Sequence, residues 1–589
     1  MDATSRSSAQ ATGHTGAPVT GAAVLPETAP PPPRTLLDIL RATVAAHPAH
    51  EAIDDGTTVL SYRSLAAEVD AGAERLRGFG IGVGDRVGVR MPSGTTQLYV
   101  AILSVLASGA AYVPVDADDP EARAEWVWSE AGVCAVVEAG GTLRLRDGVS
   151  PGSGAGAPAP EDDAWVMFTS GTSGHPKGVA VTHRAAAAFV DAEVLLFSPD
   201  GSLGPGDRVL AGLSVAFDAS CEEMWLAWSQ GACLVPAPRV LVRAGADICP
   251  WLVERRVTAV STVPSVVALW PAEALAGIRL LILGGEACPP ELGHRLTTSV
   301  GVVWNVYGPT EATVGSCAAR LFPGEIVRIG LPLAGWRLAV VDTDGRPVRW
   351  GETGELVIGG VGLGRYLDAT LDAEKFASLP GIGWSRGYRT DDLVRAERSG
   401  LVFVGRMDEQ VKIRGHRVEP EETRALLAAH PAVTQAHVRA VDDGSGPYLV
   451  AYAVTAEENL RELRTYLAER LPVAMRPAVI VPMDSMPLSS NGKLDRNALP
   501  SPVSQAPDVS PPDCTQTMRQ IVAHAWCSVL KVDQVEPDDN FFDLGGHSML
   551  LIKVQRRLAD CLRRPIPVVE LFAHPTVRTM AAYLDGLGD

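Results

Sequence analysis

Nowhere in the 589-residue chain does a Cys-x-x-Cys pair occur, and its nine cysteines are scattered. That spacing argues against a disulfide framework or a zinc site and fits a reducing cytoplasm. The N-terminus lacks a basic region followed by an apolar core, so no secretory signal is expected there. Positive charge is short: 51 Lys and Arg against 69 Asp and Glu give a formal net charge of −18. The basic surface that nonspecific nucleic-acid binding requires is missing, and no nucleic-acid partner is expected. Long uncharged runs are scarce too. One, Met91 to Val115, has the length of a membrane span but contains Ser93, Gly94, Ser104, Ser108, Gly109 and Pro114. It reads as a buried helix, a glycine turn and the start of a strand. There is no long-period repeat and no His-His-x-x-x-Asp condensation signature.

What is present is too long for one hydrophobic core and predicts three or four domains. At 46% hydrophobic and 20% charged residues it has a globular composition. Residues 1–34, rich in Ala, Thr, Ser and Pro and ending in PPPPR, are expected to be disordered. Over 35–404, apolar runs such as RVGVRM, AAYVPVD, AWVMFTS and IRLLILGG alternate with helical patterns and glycine turns, which predicts a large α/β unit with buried strands. Residues 405–500 read as a smaller α+β unit, and 501–512 as a proline-rich linker. Over 513–589, Met518, Ile521, Val522, Ala525, Trp526, Val529 and Leu530 recur at helical spacing, and a second helical pattern starts near Ser548. This segment is expected to be an all-α bundle of four helices.

The stretch FTSGTSGHPKGV at 168–179 follows an apolar run that reads as a strand. Its Gly, Ser and Thr residues let backbone amides and hydroxyls close around an anion, and Lys177 adds a point charge. It is not a Walker loop, because Pro176 stands where the second glycine belongs. Further motifs follow in one order: GAAYVPVD at 109–116, AFDAS at 216–220, NVYGPTE at 305–311, GELVIGG at 354–360, YRTDDL at 388–393, GRMDEQVKIRGHRVEPEE at 405–422 and NGKLDR at 491–496. With the 168–179 loop, this series resembles the adenylate-forming superfamily, which includes acyl-CoA ligases, luciferases and the adenylation domains of nonribosomal peptide synthetases.

The resemblance implies a large N-terminal subdomain that holds ATP and substrate, and a small C-terminal one that swings about a hinge at Asp408. It implies that a carboxylate attacks the α-phosphate of ATP to give an acyl adenylate, a reaction that needs mainly positioning and neutralisation of phosphate charge. Carried over, Thr169, Ser170, Gly171, Thr172, Ser173, Gly174 and Lys177 would cradle phosphates. Asn305 would hydrogen-bond adenine, with the Tyr307 ring and Gly308 alongside. Thr310 would contact phosphate and Glu311 would hold Mg²⁺. Asp392 would accept the ribose hydroxyls, with Arg406 nearby. Lys493 would bridge the substrate carboxylate and the α-phosphate, and Lys412 of the hinge motif is grouped with it as a catalytic lysine. Two positions depart from the family pattern. Asp391 stands where glycine is usual, and Pro420 stiffens the chain just past the hinge motif.

The run DNFFDLGGHSML at 539–550 resembles the attachment site of peptidyl carrier proteins. Ser548 would carry 4′-phosphopantetheine, added by a phosphopantetheinyl transferase. A phosphodiester there would sit at a helix N-terminus, and the tethered thiol would meet the activated acyl group at high local concentration.

The run AFDASCEEMWLAW at 216–228 sets three carboxylates, Asp218, Glu222 and Glu223, among apolar side chains. Carboxylates are seldom buried without a partner. By resemblance, Asp218 would bind the α-ammonium of an amino acid, Glu223 would be structural, and Glu222 would lie in the side-chain pocket. The other pocket positions, Ala219, Ser261, Ile282, Gly284, Val306, Val314 and Gly315, are small or apolar. A negative wall at the end of a roomy apolar pocket implies a diamino acid: lysine first, with β-lysine, ornithine or a shorter homologue as alternatives. The pocket set is similar to that of synthetases that polymerise lysine through its side-chain amine. A condensing or membrane-embedded polymerising unit, absent from this sequence, is the expected downstream partner. The competing function of another class is a carrier or docking module that activates nothing.

Overall fold

Apolar runs bounded by glycine turns become the central strands of two large sheets in the computed structural model of the chain. The structure describes residues 21–586 apart from 153, 155, 172–173, 201–202, 443–445, 488–493, 501–516, 531, 533, 543, 545 and 547. The expected linker 501–512 therefore lies outside the described residues.

The first sheet has seven strands, in the order Arg365–Tyr366, Lys177–Thr182, Asp163–Thr169, Ala111–Pro114, Arg86–Arg90, Ala135–Glu138 and Thr142–Leu145. Its centre is parallel, with Val87 opposite Tyr112 and Val136 opposite Gly88. The second has nine strands. Its parallel centre runs through Val302–Tyr307, Leu280–Leu283, Ala259–Thr262, Arg208–Ala211 and Cys233–Pro236. Strands buried on both faces need no polar alternation, which is why their sequences read as unbroken apolar runs. A third sheet of five antiparallel strands includes Trp336–Val341, Thr353–Gly360, Tyr388–Arg395 and Val402–Arg406. One apolar cluster draws on all three sheets and on the helices Thr96–Ser108, His183–Phe197 and Ala219–Trp228.

The run Met91 to Val115 folds as its composition predicts. Helix Thr96–Ser108 ends at Gly109, whose φ of 101° is left-handed, and strand Ala111–Pro114 follows. Among the described residues no helix is long and apolar enough to cross a membrane.

Three expectations need correction. Residues 24–25, assigned to a disordered lead-in, pair antiparallel with the strand Trp336–Val341, and Ala23 is fully buried. The expected boundary at 404/405 falls inside strand Val402–Arg406, which pairs with Tyr388–Arg395, so the break between units comes after Arg406. Cys561 is disulfide-bonded.

Past the break, the hairpin Val411–Ile413 and His416–Val418 leads into helix Pro420–Ala428 and a three-stranded mixed sheet with its own apolar cluster. Pro420 opens that helix, where its missing N–H has no intrahelical acceptor to lose. The last unit is four helices: Met518–Leu530, Ser548–Leu562, Val568–Ala573 and Val577–Gly586. They close over Trp526, Phe541, Leu551, Leu558 and Met580. The Trp526 and Phe541 rings meet edge to face at 5.0 Å. A Cβ on Gly546 would come within 2.3 Å of the Phe541 ring, so glycine alone fits at that point of the approach to the Ser548 helix. This bundle touches both other units: the Val569 N–H donates to Asp247 at 3.1 Å, and Arg461 ion-pairs with Asp539 at 3.2 Å.

Phe541→Ala removes a fully buried ring from the core of the helical bundle, and such truncations cost about 3–5 kcal/mol. Amide exchange of the Met518–Leu530 helix in the full chain is expected to accelerate accordingly, while the sheets stay protected. Unchanged protection of that helix would contradict this packing.

Candidate active site

Helix Ala219–Trp228 starts immediately after Asp218 and presents Asp218, Ala219 and Glu222 to one cavity. The spacing does this: residues three and four apart share a helix face. Strand ends complete the wall with Ser261, Gly284, Val306 and Val314. Two of the expected pocket residues do not line it. Ile282 is fully buried within its strand. Gly315 packs behind the wall, where a Cβ would come within 2.8 Å of Val306 and 2.9 Å of Phe189.

The three carboxylates resolve differently. Glu223 accepts the backbone N–H groups of Gly212, at 2.9 Å, and Leu213, at 3.1 Å, so it fastens the loop after strand Arg208–Ala211. Asp218 is buried at the cavity and hydrogen-bonded to Thr310. Burial pushes its carboxyl up to about 6, against the pull of the Thr310 hydrogen bond and of Lys412. Glu222 is 3% exposed, and the Ser261 hydroxyl donates to its Oε2. No donor among the described residues reaches its Oε1. Its carboxyl is raised by burial, and the carboxyl of Glu193, which is also 3% exposed, is close enough to act on it. The motif series does not mark Glu193. The available signal was its place on the buried face of helix His183–Phe197, one turn past Phe189.

The nucleotide residues gather at the other end of the same cavity. Tyr307, Gly308, Thr310, Asp392, Arg406 and Lys412 line it. Gly308 has no room for a side chain, since a Cβ would sit 2.4 Å from the Val314 carbonyl oxygen. The Tyr307 hydroxyl donates to Asp392 Oδ2, and Arg406 donates to Asp392 Oδ1. Arg406 also ion-pairs with the expected hinge residue Asp408, at 2.6 Å. Lys412 lies over the Tyr307 ring, 5.8 Å from its centroid, and burial lowers its ammonium despite the nearby Asp392. Asn305 stands apart. It is buried off the cavity, and its side-chain amide donates to the Arg328 carbonyl at 2.8 Å. Asp391, at the usual glycine position, has a left-handed φ of 59° and ion-pairs with Lys375 at 2.9 Å, so its charge is turned away from Asp392.

The phosphate loop and Glu311 sit beneath the post-hinge hairpin. The Ser170 hydroxyl donates to the Arg417 carbonyl at 2.6 Å, and a Cβ on Gly174 would press on Ala425 at 2.8 Å. Thr169, Gly171 and Lys177 lie in the same covered stretch, with Lys177 buried and its ammonium lowered chiefly by burial. Thr172, Ser173 and Lys493 lie outside the described residues. Glu311 is fully buried. It accepts from Arg417 Nη1 at 2.8 and 2.9 Å and from the Tyr366 hydroxyl at 2.6 Å. Burial raises its carboxyl, but Arg417 and the hydrogen bonds to the carboxylate together outweigh burial and hold it below the ordinary range. A hard carboxylate of this kind suits Mg²⁺, which completes its shell with phosphate and water oxygens. Because Arg417 engages both Glu311 oxygens, metal binding there requires the hairpin to withdraw.

Comparison with known proteins gives the following. The AMP-binding enzyme family matches residues 40–366, the AMP-binding enzyme C-terminal domain 422–493, and the phosphopantetheine attachment site 520–584. The chain is 40% identical over 559 residues to the nonribosomal peptide synthetase CymA of Salinispora arenicola, covering 93% of this chain and 7% of that one. It is 36% identical over 579 residues to the phosphinothricin tripeptide synthetase PhsC of Streptomyces viridochromogenes, covering 93% and 53%. The chain thus spans about half or less of the length of these relatives. Among solved structures, a holo four-domain nonribosomal peptide synthetase bound to AMP and glycine is 30% identical with a TM-score of 0.59, covering 95% of this chain and 43% of that one. A holo protein with adenylation and PCP domains, 23% identical, shares the fold at a TM-score of 0.74 over 94% of this chain and 96% of that one.

The Glu311–Arg417 pair makes a pH prediction. A carboxyl held below its unfolded value stabilises the fold above that value, and the contribution is lost as pH falls through the folded value. The wild-type chain is therefore expected to lose stability more steeply than Glu311→Gln on acidification below about pH 4. Parallel acid-unfolding curves for the two proteins would contradict the pairing.

Proposed function

The chain belongs to the AMP-binding enzyme family and carries a phosphopantetheine attachment domain, and from that premise we propose that the amino acid it activates is a diamino acid, L-lysine first. The coarser activity is that of an amino-acid-adenylating ligase that uses ATP and loads a phosphopantetheine carrier. The observation that carries the finer reading is Glu222, buried at the cavity wall with Ser261 as donor and no cation of the protein beside it among the described residues. A substrate that brings its own ammonium completes the site. Asp218, on the same helix face, is placed for the α-ammonium, and the small residues Ala219, Gly284, Val306 and Val314 leave the space between for methylenes.

The chemistry proceeds in two displacements. The substrate carboxylate attacks the α-phosphorus of ATP and pyrophosphate leaves, with Lys493 assigned to the developing charge and Asp392 with Arg406 to the ribose. In the second displacement Ser548 would hold the phosphopantetheine whose thiol supplies the nucleophile for the acyl carbonyl, with AMP as the leaving group. Mg²⁺ held by Glu311 would neutralise phosphate charge in the first displacement. We further assign the chain to the cytoplasm, as the loading part of a poly-lysine-type or other nonribosomal synthetase whose condensing or polymerising unit lies elsewhere.

A charge pair at 4 Å is worth about 4 kcal/mol at an effective dielectric near 20, before desolvation. Pyrophosphate exchange is therefore expected to be strong with lysine, weaker with ornithine and poor with norleucine, and Glu222→Ala is expected to erase the lysine preference. Norleucine activity equal to that of lysine in the wild-type chain would overturn the reading.

A further inference from the structure

We propose that Glu193 is a specificity-determining positioning residue: as a neutral carboxylic acid it donates a hydrogen bond to Glu222, keeping that carboxylate ionised and aimed at the far ammonium of the substrate. This rests on the diamino-acid reading above.

Among the described residues the cluster has no cation in it. Helix His183–Phe197 packs against helix Ala219–Trp228, and the two carboxyl groups, both almost wholly buried, act on each other across that contact. Phe189, one turn before Glu193, backs the pocket at Gly315. No protein donor among the described residues reaches Oε1 of either glutamate. The charged groups nearby do not compensate the pair. Glu223 adds negative charge from the same helix and is spent on the Gly212 and Leu213 amides; Arg239 acts on Glu223. Asp218, one turn before Glu222, is the group that Lys412 faces. From the strand side Ser261 supplies only a hydroxyl.

Two buried carboxyl groups in contact cannot both ionise, so one keeps a proton. The asymmetry decides which. Glu222 has Ser261 as a second donor and lines the cavity, whereas Glu193 lies behind it with burial and Glu222 both favouring its neutral form. With two donors on Glu222, the pair carries one negative charge, matched to one ammonium. Without the proton of Glu193, Glu222 would be left under-bonded in a dry pocket and would take up a proton itself, removing the charge that selects the substrate.

The test compares kcat/KM for lysine with that for norleucine in pyrophosphate exchange by the full chain. Glu193→Leu is expected to lower the lysine-to-norleucine ratio about tenfold or more, the loss of one hydrogen bond to a charged group. Glu193→Gln still donates and is expected to restore the ratio. An unchanged ratio in Glu193→Leu, or an equal fall in Glu193→Gln, would overturn the proposal. A wild-type chain that does not prefer lysine overturns the diamino-acid reading instead, and is told apart because the failure precedes any variant. An assay independent of folding in the leucine variant is the infrared difference spectrum of wild type minus Glu193→Gln at neutral pH. A protonated carboxyl stretch is expected, and a carboxylate signal in its place would overturn the proposal.

Discussion

A carboxylate sealed from water with no protein cation beside it among the described residues is the constraint on which the functional account depends. In Glu222 the fold places such a group at the wall of the cavity that also contains Asp218. Burying an unpaired charge is costly, and the cost can be met by a partner, by protonation or by a ligand. Here Ser261 and the neighbouring Glu193 meet part of it, and the open side of Glu222 faces the cavity. Glu223, one residue on, shows the contrast. Its oxygens are satisfied by the Gly212 and Leu213 amides, and it has no remaining chemistry to offer.

The nucleotide end follows a different rule. Each carboxylate there has a guanidinium: Arg406 for Asp392 and Asp408, Arg417 for Glu311. Arg406 ends the strand before the break and Arg417 lies in the hairpin past it, so both units contribute a guanidinium to this end of the cavity. The arrangement seen has the hairpin Val411–Ile413 and His416–Val418 over the phosphate loop, with Ser170 bonded to Arg417 and Lys412 facing Tyr307. A cation at Glu311 would compete with Arg417 for the same two carboxylate oxygens.

Much of this was legible in the sequence because the relevant signals are local. Buried parallel strands show as unbroken apolar runs, the glycine in Met91 to Val115 marks a true left-handed turn, and the i, i+4 spacing of Asp218 and Glu222 survives as a shared helix face. What was not legible depends on contacts between distant segments. Residues 24–25 pair with a strand more than 300 residues away, which their composition does not signal. Asn305 and Ile282 sit in the expected strands but turn to the core, and Asp391 finds Lys375 across a loop. Glu193 was hidden because an acidic residue in AAAAFVDAEVLLF, two positions after Asp191, reads as a solvated position until the packing of two helices places it beside Glu222.

The most direct test of the central claim is intact-protein mass spectrometry of the phosphopantetheinylated chain after incubation with ATP, Mg²⁺ and an equimolar mixture of the proteinogenic amino acids with ornithine and β-lysine. The account predicts that the carrier gains the mass of a diamino acyl group, on the peptide containing Ser548. A carrier loaded from the same mixture with a neutral or acidic amino acid would contradict it.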